Sequence, residues 1–341
     1  MSTNQGKLIA RALFRSWDGR PPPAEVSPEK IEEIIPLLIQ SGSAGLVWWK
    51  LRQPKAEIPP PLNPLQKEFR AQQLSFKFRE LQIKEIVRHI RSFGVEPIVA
   101  KGWAVARLYP EHGMRPLGDI DIYVRPKEHL KAQEVLNSAP GGRGEIDLHN
   151  GFVLLKDRNA DSIFERSQCI DVEGIGIRVL RAEDHLRLLC LHLLAHGAWR
   201  PIWLCDVAVL LETLSDPFDW DYFMSGDKRR SDWVACVLIL AAELLGAKRD
   251  DFPESLHKRV LPKWLIDSVL QQWGKVPDPQ GLRTPMGFHL RHPSGLPRAL
   301  WQRWPNPVEA TVGTHGAFNR FPRLPFQLAE CLRRTSQYFL D

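Results

Sequence analysis

No stretch of this chain approaches the ~18–20 unbroken apolar residues that a membrane-spanning helix requires, so a transmembrane helix is not expected. Met1 to Lys7 is polar and lacks the basic-then-apolar layout of a secretory signal. Cysteine is scarce: Cys169, Cys190, Cys205, Cys236 and Cys331 are odd in number, scattered, and mostly set in apolar runs. That pattern excludes a disulfide framework or a clustered-thiol zinc site and predicts reduced, buried thiols. A soluble, cytoplasmic protein is the expectation. No internal repeat or low-complexity segment stands out. A His-Glu-x-x-His metalloprotease motif is also missing, although His192 and His196 stand four residues apart and His185 lies one heptad earlier. Their surroundings, Leu-His-Leu-Leu-Ala-His, are apolar nearly all round, which predicts satisfied core histidines.

What is present is a modest excess of basic charge, 46 − 40 = +6. Such a balance suits a phosphate-rich ligand without establishing nucleic-acid binding. Gly281 to Asp341 has eight Arg against Glu309, Glu330 and Asp341, so 8 − 3 = +5 of the excess sits in this tail, which contains no lysine.

The chemistry is concentrated between Val95 and His149. In Gly118-Asp119-Ile120-Asp121-Ile122-Tyr123-Val124 the side chains alternate. A strand with that pattern carries Asp119 and Asp121 on one face and Ile120, Ile122 and Val124 on the other. Glu145-Ile146-Asp147-Leu148-His149 repeats the alternation, with Glu145, Asp147 and His149 on the polar face. If the two strands are neighbours, three carboxylates converge. Crowded like charges resist ionisation, so an ionised cluster calls for a hard divalent cation, and Mg²⁺ with phosphate oxygens suits an all-oxygen set.

Lys101-Gly102, then Arg115-Pro-Leu-Gly-Asp119-Ile-Asp121, then Glu145-Ile-Asp147-Leu-His149 resembles the polymerase-β-like nucleotidyltransferase superfamily. Within it the chain is most similar to the bacterial uncharacterised nucleotidyltransferase family. The resemblance runs from about Ile83 to Tyr222, because Arg178-Val-Leu-Arg-Ala-Glu-Asp and Leu191-His-Leu-Leu-Ala-His-Gly follow that family's run. It implies transfer of a nucleoside monophosphate from an NTP to an acceptor hydroxyl, with release of pyrophosphate. Two Mg²⁺ (or Mn²⁺) ions would bridge Asp119, Asp121 and the phosphates, with Asp147 as third carboxylate or general base and Glu145 as its rival.

Lys101-Gly102 stands where superfamily members usually place Gly-Ser, and is the variant of the closer family. Lysine supplies a point charge for phosphate, and glycine lets backbone approach an oxyanion. Arg115 either clamps a phosphate or pairs with a nearby carboxylate. Asp206 is an acid in an otherwise apolar helix and resembles a position the family tends to carry. Burial of an acid requires a partner, and Arg200, Arg187 or a bound ligand are the candidates. The resemblance leaves the acceptor open: a small molecule, a peptide or a protein, with RNA the less favoured. Rival readings are a catalytically silent nucleotide- or peptide-binding partner with the same fold, and an RNA-directed transferase using the Arg/Trp tail.

The expected fold is α+β: a polymerase-β-like nucleotidyltransferase core, a small mixed sheet with flanking helices, plus N-terminal and C-terminal helical regions. The domain plan is a helical region over 1–93, the catalytic core over 94–180, a helical domain over 181–280, and a basic tail over 281–341 packed on that domain. Helices are expected after the Ser27-Pro28 start and over Leu65–Phe93, Gly102–Tyr109, Pro126–Asn137, Glu183–His196, Pro201–Leu214, Asp232–Leu245, Pro253–Trp273 and Phe326–Phe339. Strands are expected at Pro97–Ala100, Asp119–Val124 and Glu145–His149, with a hairpin over Cys169–Leu180. In the tail, Trp301, Trp304, Phe318, Phe321 and Phe326 are expected inward and the guanidiniums outward.

Overall fold

The computed structural model describes residues 2–52, 59–138, 145–214, 217–250, 252–275, 294 and 296–340. The sequence predicts a turn over Ala139–Gly144; that segment and most of the early tail lie outside these residues.

The chain opens in helices, as its apolar periodicity predicts. α1 (Ser2–Leu13) buries Ile9, Ala10, Ala12 and Leu13. α2 (Pro28–Ser41) starts with proline in its first turn and ends at Gly42, φ 76°. Ser27 sits at the cap position, but its hydroxyl does not bond the first turn's backbone. α3 (Ala44–Leu51) follows, and α4 (Asn63–Ser92) is the longest helix described, at 30 residues.

The sequence predicts an apolar stripe of Phe69, Leu74, Phe78, Leu81, Ile86 and Ile90 along α4, and in the fold this stripe shifts. The helix buries Leu65, Phe69, Phe76, Ile83, Val87 and Ile90, while Leu74, Phe78 and Leu81 are exposed. The reason is a change of partner along its length. Phe69 belongs to the core shared with α3, whereas Phe76 onward belongs to a second core under the sheet. Lys77, Arg79, Lys84, Arg88 and Arg91 read in the sequence as a solvated helix face, but Arg79 pairs with Glu145, Lys84 with Glu173, and Arg91 with Glu96.

Next come β1 (Ile98–Val99), α5 (Gly102–Ala106), β2 (Ile120–Val124), α6 (His129–Asn137), β3 (Ile146–Asn150), α7 (Ala160–Arg166), β4 (Gln168–Val172) and β5 (Ile175–Val179). The strands form one mixed sheet in the order β3-β2-β1-β5-β4. β2 runs parallel to β3 and antiparallel to β1; β1 runs parallel to β5, and β4 and β5 close the expected hairpin. Its turn, Glu173-Gly174, has positive φ at both residues (51° and 81°), the geometry that matches strand twist.

Ile120, Ile122 and Val124 pack downward against Phe76, Ile83 and Val87 of α4 and Val135 and Leu136 of α6. The opposite face of β2, with Tyr123, joins the larger core built with the later helices. Those helices are α8 (Ala182–Ala195), α9 (Pro201–Glu212), α10 (Trp220–Met224), α11 (Lys228–Leu245), α12 (Glu254–His257) and α13 (Lys263–Trp273). The single helix expected over Pro253–Trp273 is two, because Pro262 disfavours helix in the residue before it and lacks the N–H a continuous helix needs. α1 lies so close to α13 that a Cβ at Gly6 would fall 1.9 Å from the Leu270 carbonyl oxygen.

The tail supplies α14 (Leu296–Arg303), α15 (Pro307–Gly313) and α16 (Leu324–Leu340). Asn306 caps α15 by accepting from Glu309 N–H (2.8 Å) and donates to the Gly197 carbonyl beyond α8 (3.0 Å). The expected inside-out arrangement holds for Phe318, which is buried, but fails for Trp301, Trp304 and Phe321, which are exposed. Arg323 is the reverse of expectation: it is buried, with its guanidinium donating to Ala317 O and Asn319 Oδ1. A guanidinium has five donors and can satisfy a loop from within. Cys190, Cys205 and Cys236 are buried, while Cys169 is exposed and Cys331 partly so.

Candidate active site

The strand alternation fixes which side chains meet. In the β2–β3 register Asp121 stands opposite Asp147 and Tyr123 opposite His149, so all four share the face turned away from α4. His149 Nε2 lies 2.9 Å from Asp121 Oδ1 and 3.2 Å from Asp147 Oδ2. Its ring stacks on Tyr123, centroids 4.2 Å apart, and Tyr123 stacks in turn on Phe152 at 4.5 Å. Asp121, Asp147 and His149 thus present ligand atoms within 4.8 Å of one another.

Asp119 is exposed, one residue before β2, and lines the same cavity outside that close cluster. Glu145 is turned to Arg79 of α4 and does not line the cavity. The close cluster is therefore not the all-oxygen set expected from the sequence, since an imidazole completes it. Alternation had put His149 on the right face, but it does not say which residue on a face will reach a neighbour's carboxylate.

Lys101 connects β1 to α5 with φ 53° and ψ −134°. This is an unusual backbone for a residue with a side chain and marks a constrained position. Its N–H donates to His185 Nε2 (3.1 Å), and its Nζ lies 2.5 Å from Asp121 Oδ1 and 3.5 Å from His149 Nε2. Burial raises the Asp121 carboxyl, but the His149 hydrogen bond and the Lys101 charge outweigh it and hold that carboxyl below its usual range. The following residue, Gly102, leaves room beside Asp121: a Cβ there would stand 3.7 Å from Asp121 Oδ2 and 3.9 Å from Arg115 Nη1.

Arg115 and Asp206 are partners of each other. Arg115 Nε is 3.0 Å from Asp206 Oδ1 and Nη2 is 2.9 Å from Oδ2, while Nη1 donates to the Pro116 carbonyl (2.8 Å). Tyr109 donates its phenol to the same carboxylate at 2.8 Å. The partners that the sequence nominated for Asp206 lie elsewhere. Arg187 turns to Asp157 (2.6 Å), and Arg200 donates to the Ser41 carbonyl (3.3 Å). The carboxylate-pairing alternative for Arg115 is the geometry found, with burial opposing its charge and Asp206 more than restoring it.

These residues border a cavity of about 550 Å³ between the sheet and α8–α9, a size in the range of small-ligand sites, ~300–1,000 Å³. Facing the carboxylates across it are His192, His196 and Trp203. Their ring centroids are 4.6 Å (His192–His196), 4.7 Å (His192–Trp203) and 5.3 Å (His196–Trp203) apart, and the Arg200 guanidinium stands 5.3 Å over Trp203. The expectation of core histidines is thus corrected: His192 and His196 are wall residues, and His185, 4% exposed, is the core one. An apolar helix conceals its cavity-facing side as well as its core side, so periodicity does not separate the two. Burial and the Lys101 charge push His192 down to about 3 and lower His196 as well; burial and Arg115 push His185 down to about 4. All three are neutral near pH 7, which suits His185 as the acceptor for the Lys101 N–H.

No helix among the described residues is long and apolar enough to cross a membrane. No curated protein and no solved structure matches the chain. One family model does, over residues 27–246, a span from just before α2 to the end of α11 that takes in the whole sheet and both cavity-lining helices. With a mixed α+β fold and a carboxylate–imidazole cluster at the cavity floor, the chain belongs to the uncharacterised nucleotidyltransferase family, and is a nucleotidyltransferase.

Proposed function

We propose that the chain moves a nucleoside monophosphate from an NTP to an acceptor hydroxyl with the help of a divalent cation, and releases pyrophosphate. The observation that carries this reading is the approach of Asp121, Asp147 and His149, ligand atoms within 4.8 Å, beside Lys101 on the floor of a cavity of nucleotide size. The donor set fits a cation that accepts both carboxylate and imidazole. Mg²⁺ and Mn²⁺ both suit the two carboxylates. When bound, such an ion supplies charge neutralisation at the phosphates.

The chain's own residues do the rest. Asp121, Asp147 and His149 would hold the cation, and Asp119, exposed at the rim, would offer it a further carboxylate oxygen when the nucleotide is bound. Lys101 contributes a fixed positive charge, and Gly102 keeps the backbone open beside it. Asp206 acts through Arg115, holding the guanidinium at the cavity wall so that its charge faces the phosphates. The neutral rings of His192, His196 and Trp203 offer a face on which a nucleobase stacks, and Arg200 adds a cation over the same surface. In the chemical step the acceptor oxygen attacks the α-phosphorus, and the bond from that phosphorus to the α–β bridging oxygen breaks. The electron pair leaves with pyrophosphate, and the acceptor proton passes to Asp147, whose half-exposed side chain is the accessible base.

Incubating the protein with α-³²P-labelled NTPs and Mn²⁺ or Mg²⁺, with small-molecule, peptide, protein and RNA fractions as separate acceptors, tests the reading. Label moving into one fraction supports it and names the acceptor class. Nucleotide binding without transfer to any fraction would turn the reading into that of a silent binding partner.

A further inference from the structure

Asp121 is a shared carboxylate. One side of its Oδ1 receives Lys101 Nζ at 2.5 Å, and His149 Nε2 lies 2.9 Å from the same oxygen, leading on to Asp147 Oδ2 at 3.2 Å from that nitrogen. In a two-metal phosphoryl-transfer site the ions lie ~3.5–4 Å apart, and oxygens shared between them help hold the pair. Here one of the two flanking positions is taken by an ammonium. Resting on the proposed nucleotidyl transfer, we propose that this is a one-metal site, in which Lys101 permanently fills the place of a second cation and a single divalent ion is held by Asp121, Asp147 and His149.

Three observations support the assignment. First, the lysine is built in. Its side chain is 11% exposed, its backbone takes a φ of 53°, and its N–H is held by His185. A surface lysine making a casual ion pair would have none of these restraints. Second, the charge favours a single ion. Within the cluster Asp121 and Asp147 carry −2 and Lys101 +1, and Arg200 adds a further cation at the cavity wall, so a second divalent ion would meet far less negative charge than a site of carboxylates alone offers. Third, the ligand atoms that converge within 4.8 Å are those of Asp121, Asp147 and His149. That is one cluster, and among the described residues no other group of three has such a spacing. Mn²⁺ suits the two carboxylates and is paramagnetic, which makes it the probe ion.

The test is a titration of the full-length protein with Mn²⁺ alone, followed by electron paramagnetic resonance of free Mn²⁺ and by equilibrium dialysis. Wild type is expected to take up one Mn²⁺ per chain. Lys101→Met keeps the stem and removes the charge, and is expected to bind a second Mn²⁺ or to hold the first at least ~10-fold more tightly, because an ammonium no longer shares Asp121. Lys101→Arg keeps the charge and should retain a stoichiometry of one. Circular dichroism confirms that each variant is folded. Two Mn²⁺ per wild-type chain would overturn the one-metal assignment while leaving the proposed transfer intact. Unchanged affinity and stoichiometry in Lys101→Met would also overturn it. An absence of binding in both proteins would overturn it together with the metal requirement of the proposed function.

Discussion

Asp206, in the middle of α9, receives Arg115 from the loop before β2 as a two-point pair, Nε to Oδ1 at 3.0 Å and Nη2 to Oδ2 at 2.9 Å. Asp206 is wholly buried and Arg115 is 9% exposed, so the pair ties the helical layer to the sheet at the cavity wall. Tyr109 satisfies the carboxylate further. The net worth of such a pair against an apolar replacement is small, but removing one partner leaves a charge stranded.

Asp206→Ala should therefore destabilise the protein by about 3–5 kcal/mol, the typical cost of breaking a buried pair. Arg115→Ala should cost a similar amount, and the double variant should cost much less than the sum of the two. Urea denaturation of the four proteins measures this. Additive losses would show that the two residues act separately.

Asp119 and Asp121 should part company when each is changed to Asn. Asp119 is exposed, so Asp119→Asn should change stability by less than ~0.5 kcal/mol, as surface substitutions usually do, while nucleotide transfer is lost. Asp121→Asn removes the counter-charge of part-buried Lys101 and should lower stability by about 1–3 kcal/mol as well as abolishing transfer. Thermal unfolding of the metal-free proteins separates them. A larger drop for Asp119→Asn would make that residue structural.

Stability should fall on acidification well before the carboxylates titrate. In the unfolded chain His185 takes a proton near pH 6.5; in the fold burial delays it to about 4. The unfolded state thus binds more protons between these values, so stability is fully present above pH ~6.5 and declines as pH falls towards 4. The interval from 6.5 to about 4, at ~1.4 kcal/mol per pH unit, is about 3 kcal/mol for His185. His192, pushed down to about 3, adds a smaller amount because it is only part-buried. Urea midpoints measured from pH 7.5 to 4.5 check this, and a flat profile would contradict neutral, buried imidazoles.

Trp203→Ala should raise the KM for the NTP about tenfold and leave kcat within about threefold, since loss of a stacked ring costs ~1–3 kcal/mol of binding and touches no reacting atom. Steady-state kinetics with the acceptor found by labelling decides it. A fall in kcat at unchanged KM would place Trp203 on the acceptor side of the cavity.

The sequence determined the polar face of the two acidic strands, because alternation in Asp119–Val124 and Glu145–His149 leaves one way to bury the isoleucines. It also determined most helices, whose starts are written in local residues such as Ser27 and Pro28. The tertiary structure alone decided which acids meet. Asp121 and Asp147 are brought opposite each other by the parallel register of β2 and β3, and register depends on residues distant in the chain. It decided that Glu145 turns to Arg79, that Arg115 belongs to Asp206 ninety-one residues on, and that His192 and His196 face a cavity. Periodicity records that a face is shielded from water, not what shields it. Partner choice among charges depends on distances of a few ångströms, which only packing sets.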